Sequence, residues 1–491
     1  MSLITRWKTR IDPLLKRLRH TPGRAFAIAI GSGIGLFAVL QVVRPGIPAK
    51  PAAAELQAPA AVRHVLEKDC YSCHSDRRQL SWFDRIVPVY WMVRHDVLTA
   101  RERLDFSTLG SQPAAAQKAA LYEAVNMIQL GAMPLPEFVR LHPESRVTPE
   151  ELSILKTYLS PWKAAPGQPD ASPGSNNPKS DASALANSRQ PFAPLSLAAV
   201  PRELNGLPFD PEFENWRPIS TTERGDNDTL RMILGNDIAV TAAESGRVSP
   251  WPDGTRLAKV AWQREAGPDG LVYPGKFVQV ELMVKDARLY KRSDGWGWGR
   301  WRGQDLKPYG KDARFVNECT GCHQPVKGND YVYTLPISGA ILRGQEVVNN
   351  NAAALPVDLP YLPETPTKWG AITTFVDPAA RTTATLYGGG IALTAVDARI
   401  VFSGGNPSAQ SYPLDAVLAL VTWKQRDDPH WFGGRIPDLP LSVEFVQVAA
   451  PGQVSQYRRF AGPRLDEDLS TAGIAKQRTD FILGLRPAPL P

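Results

Sequence analysis

The sequence predicts a multidomain chain: one N-terminal transmembrane helix, an all-α domain, and two β-rich modules in tandem, each α+β with an antiparallel sheet. Three observations predict it. An uncharged apolar run covers residues 25–43 behind a basic leader. Apolar residues fall at helical spacing up to about residue 160 and in short alternating runs after residue 201. A set of residues also recurs in order at an offset of 153.

Residues 1–24 hold Arg6, Lys8, Arg10, Lys16, Arg17, Arg19 and Arg24 against one acid, Asp12. The positive-inside rule leaves such a leader in the cytoplasm. Residues 25–43 (AFAIAIGSGIGLFAVLQVV) are long enough for a bilayer core of roughly 30 Å and read as an uncleaved, single-pass anchor. A cleaved signal peptide ending near Ala52-Ala53-Ala54 is the alternative. The chain carries +7, of which the leader supplies +6, so the rest is close to neutral. Such a remainder offers no phosphate-binding surface, and nucleic acid is excluded as a partner.

Residues 44–60 are a Pro/Ala spacer that lifts the next unit off the membrane. Residues 61–162 form the helical domain: Val62, Val65 and Leu66 lead into its first motif, a helix follows over Ala115–Leu130, and Thr148 and Glu151 form a capping box. Residues 163–200 are rich in Pro, Ser, Asn and Ala and read as a flexible linker. The β-rich modules occupy residues 201–340 and 341–491. Trp216, Ile219 and Gly235-Asn236-Asp237-Ile238-Ala239 recur as Trp369, Ile372 and Gly388-Gly389-Gly390-Ile391-Ala392. Leu257–Trp262 and Val280-Glu281-Leu282 recur as Leu418–Trp423 and Val443-Glu444-Phe445.

Cys-x-x-Cys-His occurs twice, at Cys70, Cys73, His74 and at Cys319, Cys322, His323, and uses every cysteine of the chain. This spacing suits c-type haem, where two thiols add to the vinyl groups and the His binds iron. Zinc or disulfides would explain the thiols but not the His after each pair. The reading is two covalently bound haem c groups, one in the helical domain and one in the first β-rich module. Haem c matures outside the cytoplasm, so the expected location is the inner membrane, with the soluble domains in the periplasm.

The helical domain resembles a haem-binding c-type cytochrome domain from about Asp69 to Tyr158. The likeness rests on Cys70–Ser75, Pro88-Val89-Tyr90-Trp91, His95-Asp96-Val97, Arg103-Leu104-Asp105-Phe106-Ser107 and Gly131-Ala132-Met133-Pro134. That family has Gly where Ala100 stands. His74 is the expected proximal ligand and Met133 the expected sixth ligand, with His95 a rival. His64 and His142 read as ordinary surface or core residues.

Residues from about Pro208 to Ile337 resemble the cytochrome P-460 family, which includes the cytochromes c′-β. The likeness is carried by Thr229–Asn236, Trp251-Pro252-Asp253-Gly254-Thr255, Lys259, Met283-Val284-Lys285-Asp286, Gly295–Gly299 and a haem motif near the module's end. It implies that a lysine, here Lys259, cross-links the haem in hydroxylamine-oxidising members, whereas c′-β members bind nitric oxide without that bond. Lys259 lies among Leu257, Ala258, Val260 and Ala261, and becomes Leu420 in the second copy. Arg231 (Ala384 in the copy) is expected to hydrogen-bond a nitrogen oxide. Asp286 (opposite Ala449) is expected to take protons. Glu281 recurs as Glu444 and reads as scaffold, and the Trp296/Trp298 pair as packing.

The resulting expectation is a membrane-anchored cytochrome that oxidises hydroxylamine or a related nitrogen oxide. It would pass electrons to the N-terminal haem and then to an external cytochrome or membrane carrier. A non-enzymatic nitric-oxide-binding or electron-transfer cytochrome is the alternative.

Overall fold

The computed structural model describes residues 22–48, 54–77, 80–160, 197, 200–337, 362–397, 412–450, 453, 455–462 and 464–491. The basic leader up to residue 21, nearly all of the expected linker and residues 338–361 lie outside the described residues. The chain forms two compact units, Met1–Leu121 with Pro134–Tyr158, and Tyr122–Met133 with Leu159–Pro491.

The first unit is helical, as its spacing predicts. Its helices are α1 Pro22–Leu40, α2 Ala60–Asp69, α3 Tyr71–His74, α4 Val89–Arg103, α5 Phe106–Leu109, α6 Ala114–Gln129, α7 Pro136–Leu141 and α8 Pro149–Leu159. From Tyr122 onward α6 is counted with the second unit. The capping box is formed: Thr148 N–H donates to Glu151 Oε2 at 2.8 Å and Glu151 N–H to Thr148 Oγ1 at 3.2 Å. Helix α1 matches the apolar run and exposes Phe26, Ile28, Ile34, Leu36 and Val39. Even so, no helix among the described residues is long and apolar enough to cross a membrane. Gly31, Ser32, Gly33 and Gly35 dilute its apolar surface.

The spacer differs from expectation. Proline removes N–H groups, and the carbonyls left over accept bonds from α4. Trp91 Nε1 donates to Val43 O at 3.0 Å, Tyr90 Oη to Pro45 O at 2.8 Å and Arg101 Nη1 to Pro48 O at 2.8 Å. Ile47 and Leu56 are buried. Residues 41–48 are therefore part of the helical domain rather than a free stalk.

The second unit is built on one antiparallel sheet of twelve strands. Its first half runs β1 Arg217–Arg224, β2 Thr229–Gly235, α9 Asp237–Glu244, β3 Arg256–Ala266, β4 Val272–Lys285, β5 Trp296–Arg302, β6 Lys307–Pro308 and α10 Val316–His323. Its second half runs β7 Gly370–Asp377, β8 Thr382–Gly388, α11 Gly390–Asp397, β9 Val417–Asp427, β10 Gly434–Gln447, β11 Gln456–Ala461, β12 Asp466–Glu467 and α12 Ala475–Gly484. The halves agree element for element. Both first strands bulge at the matched isoleucine, between Pro218 and Ser220 and between Ala371 and Thr373. In both, a glycine opposite (Gly235, Gly388) leaves room for that side chain.

The halves join at two edges in a reciprocal way. Strand β1 pairs with β10 (Arg224 with Gly434), and β4 pairs with β7 (Val272 with Val376). First strand meets fourth strand at both joints, which is the pattern of an isologous, two-fold contact made within one chain. One joint is apolar, with Leu230, Val272 and Val376 packed together. The other buries Glu223, which accepts from Arg264 Nη2 at 3.0 Å and Gln425 Nε2 at 2.9 Å. Strands alternate between two faces. Ala258, Val260, Val280, Leu282 and Trp301 fill a core on one face, leaving Lys259, Gln279, Glu281 and Arg300 on the other.

Arg264→Met removes the 3.0 Å ion pair of buried Glu223, leaving Gln425 and the cross-strand Arg435 beside it, and is expected to destabilise the chain by about 3 kcal/mol, read from urea midpoints at neutral pH. The chain is expected to be monomeric by light scattering, and a stable dimer through the first half would contradict the internal pairing.

Candidate functional site

Among the described residues no group of three or more His, Cys, Asp or Glu side chains can hold a metal ion. Burial pushes the Cys70 thiol up to about 12 and those of Cys73 and Cys319 up to about 11.

In the first unit, α2 ends at Asp69 and the chain turns through Cys70, whose carbonyl accepts from Cys73 and His74 N–H. That turn sets both thiols and the histidine on one short helix. His74 Nδ1 donates to Leu104 O at 2.9 Å, which leaves Nε2 as the ligating nitrogen. The Leu104–Ser107 stretch supplies the rest of the support. Asp105 caps α5 by accepting from Ser107 N–H, Phe106 stacks on Tyr71 at 5.1 Å, and Ser107 Oγ accepts from Asp76 N–H at 2.8 Å. Met133, counted with the second unit, stands half-buried in the turn after α6, beyond Gly131 at φ +71°. His64 and His95 are exposed, and His142 Nε2 pairs with Asp84 at 3.1 Å.

In the second unit, α10 covers the open face of β3, β4 and β5. Cys319 packs with Leu257, Trp298, Phe315 and Tyr331. His323 Nδ1 donates to Tyr331 O at 2.6 Å, and its ring lies edge-on to Trp298 at 4.7 Å and Tyr333 at 5.0 Å. Burial lowers His323 to about 4 and keeps the imidazole neutral, the state in which Nε2 binds iron.

Beside it runs a row of charges set by register, because Lys259 faces Glu281 and Glu281 faces Arg300 across three strands. Lys259 Nζ lies 2.5 Å from Glu281 Oε2, and Arg300 Nε lies 3.1 Å from Glu281 Oε1. Gln279 Nε2 also bonds Glu281. Arg231, two positions from Ile233 which faces Lys259, lies on the same face and donates Nε to Thr229 Oγ1 at 3.1 Å. Lys259, Arg300 and Arg231 thus share this face with Glu281.

The charges are enclosed yet reachable: the side chains of Lys259, Glu281 and Arg300 are 28%, 15% and 21% exposed. Burial pushes Lys259 down to about 8, helped by Arg231 and Arg300 and opposed by Glu281. Burial pushes the Glu281 carboxyl up, but Lys259 and Arg300 outweigh it and hold Glu281 well below the usual carboxylate range. Burial lowers Arg231 to about 9, still protonated at neutral pH.

The supporting motifs have local reasons. Asn236 caps α9 by accepting from Ala239 N–H and donates to Gly254 O, fixing the turn before β3. Asp330 accepts from Trp251 N–H at 2.9 Å and Lys285 Nζ at 2.7 Å, tying the segment after α10 to the sheet. Lys285 lies over Trp296, 4.8 Å from its centroid, so the tryptophan pair packs as expected.

Asp286 is not brought to the charged row. It ends β4 and accepts from Arg288 and Leu289 N–H, a turn cap. The carboxylate present is Glu281, which the repeat comparison assigned to scaffold. Alternation along β4 carries the missing signal, because Phe277, Val280 and Leu282 face the core and leave Gln279 and Glu281 opposite.

A histidine held by its Nδ1, paired thiols on the same helix and a row of partly exposed cationic side chains fit a haem and its acidic edge groups. This donor set defines a haem cytochrome. Residues 211–334 match the Cytochrome P460 family and residues 32–161 the Haem-binding domain family, so the chain is a fusion of these two domains. The second match begins inside α1 and takes in the stitched segment. No curated protein matches the chain.

In haem-free protein, folded Lys259 loses its proton near pH 8 and unfolded lysine near 10.5. The unfolded state binds more protons in that window, so stability rises with pH. Wild type is expected to gain on Lys259→Met by about 1.4 kcal/mol per pH unit at most, read from urea midpoints between pH 7.5 and 10.

Proposed function

We propose that the chain is a membrane-anchored, periplasmic dihaem c-type cytochrome whose Cytochrome P460 domain oxidises hydroxylamine or a related nitrogen oxide. The observation that carries it is the row Lys259–Glu281–Arg300, with Arg231, beside the His323 helix. Bound there, a haem supplies a one-electron redox centre with an iron position for the nitrogen oxide.

The residues do the rest. Arg231 donates to the oxide oxygen, and the cationic hollow favours substrates that become anionic as protons leave. Lys259 is the residue for a covalent bond to the haem edge. With its pKa near 8, roughly a tenth of its amine is neutral at pH 7. Glu281 is too acidic to be a base while Lys259 is charged. Were that amine held in a bond to a haem, Glu281 would lose its strongest attractive neighbour and its carboxylate would be the base for substrate protons. The 2.5 Å Lys259–Glu281 ion pair also favours the second reading, an uncrosslinked cytochrome that binds nitric oxide or relays electrons.

The remaining assignments complete the proposal. Met133 would be the second protein ligand, beside His74, of an N-terminal haem. That haem passes electrons to an external cytochrome or membrane carrier. Residues 25–43 anchor the chain, supported by the exposed apolar side chains of α1. The second half of the sheet is a haem-less copy of the Cytochrome P460 domain.

Two spectra test the core of this. In dithionite-reduced protein a strongly red-shifted Soret band, absent in Lys259→Arg, is expected on top of an ordinary cytochrome c spectrum. Two ordinary spectra unchanged by the substitution would leave the nitric-oxide or relay reading. Glu281→Gln is expected to slow hydroxylamine oxidation by about 10²–10⁴-fold and Asp286→Asn to leave it unchanged, measured by stopped-flow reduction.

A further inference from the structure

The second half of the sheet carries no haem motif, yet one of its loops reaches the histidine side of the first half's site. The loop joins β9 to β10 and reads Asp428-Pro429-His430-Trp431-Phe432-Gly433. It is closed on itself: Asp428 N–H donates to Gly434 O at 2.9 Å, His430 N–H to Asp428 Oδ1 at 2.8 Å and Gly434 N–H to Trp431 O at 3.0 Å. Gly433 sits at φ +83°, where a side chain would be strained. The β1–β10 joint and the bond from Gly225 N–H to Gly433 O at 2.9 Å fix the loop to the first half.

From there two side chains meet the support of His323. His430 Nδ1 donates to Tyr333 O at 2.7 Å, and Trp431 lies edge-on to the Tyr333 ring at 5.4 Å. Trp431 is itself held on the first half. Arg224 lies over its ring, 4.1 Å from the centroid, and Trp431 Nε1 donates to Asp226 Oδ2 at 3.3 Å. Asp226 in turn takes both Arg224 Nε and Nη2, at 2.6 and 2.5 Å. Tyr333 is edge-on to His323 at 5.0 Å and donates its Oη to Cys322 O at 2.6 Å. His323 bonds Tyr331 O, two residues away.

The internal two-fold supplies a control. The reciprocal loop of the first half, between β3 and β4, is a plain turn, Gly267-Pro268-Asp269-Gly270-Leu271. Arg224 and Asp226 correspond, at the offset of 153, to Asp377 and Ala379. Among the described residues, the His430–Trp431 contact with Tyr333 has no counterpart in the reciprocal turn, which carries neither residue.

Resting on the haem reading above, we infer that the haem-less half is a positioning element: His430 and Trp431 hold Tyr333, and through segment 331–333 they orient His323 toward the iron. Neither is a catalytic residue. A ring held by a donated Nδ1 proton is a more basic ligand, so a loosened clamp weakens the iron–histidine bond and raises the haem potential.

The test uses the full-length, haem-loaded protein and the variants His430→Ala, Trp431→Leu, His430→Asn and, as a control in the reciprocal turn, Pro268→Ala. Pyridine haemochrome is expected to count two haems per chain throughout. In His430→Ala and Trp431→Leu the ferrous iron–histidine stretching band of the His323 haem shifts to lower frequency and its reduction potential shifts upward. The His74 haem does not change. His430→Asn, which can still donate to Tyr333 O, restores both readouts in part, and Pro268→Ala matches wild type. Folded His430→Ala and Trp431→Leu proteins with unchanged band and potential would overturn the inference. If Trp431→Leu does not fold, His430→Ala decides alone. A count of one haem in wild type would instead overturn the haem reading itself.

Discussion

Setting two cations and a carboxylate across adjacent strands of one sheet face is costly unless each charge finds a partner within reach. Lys259, Glu281 and Arg300 meet that condition only because β3, β4 and β5 hold their registers. A slip of one residue would turn the charges into the Trp262–Trp301 core on the other face. The bulge at Ile219, the cap at Asn236 and the ion pair from Lys285 to Asp330 all keep that register and the helix above it in place. Around Glu281, Lys259, Arg300 and Arg231 leave a local excess of positive charge, which suits a group that brings negative charge.

The second half solves the same constraint differently. At the place of Lys259 stands Leu420, and the carboxylate kept at Glu444 is met by Arg478 of α12, at 2.9 Å from Nε and 2.5 Å from Nη2. Ile482 and Leu485 pack against Leu418, Leu420 and Val446, so the face is closed by the chain's own side chains. Arg478 thus serves the carboxylate that Lys259 and Arg300 serve in the first half. A glutamate conserved between the repeats therefore need not do the same work in each.

That substitution also explains how far the sequence could be read. The two Cys-x-x-Cys-His motifs, the capping box at Thr148 and the change from helices to strands were all legible, because each depends on local spacing. The role of Glu281 was not. It depends on a cross-strand neighbour 22 positions earlier and on a helix that follows later. Asp286 looked equivalent by loss in the copy, but its carboxylate is spent on backbone N–H groups of its own turn. The Pro/Ala stretch after α1 read as a free stalk because composition says nothing about acceptors offered to Trp91, Tyr90 and Arg101.

Fusion of the two halves has a consequence that separate subunits would not permit. In a two-fold homodimer both reciprocal joints and both reciprocal loops are identical, so any residue that improves one site is imposed on the other. Joined in one chain, the joints have diverged: one is apolar around Val272 and Val376, the other ionic around Glu223 and Arg264. The loops have diverged as well, a glycine turn on one side and His430-Trp431 on the other. The second half has no Cys-x-x-Cys-His, and its face is closed by Arg478, Ile482 and Leu485, while its β9–β10 loop lies against the support of His323. Asymmetry of this kind is what a duplicated sheet gains by keeping its partner covalently attached.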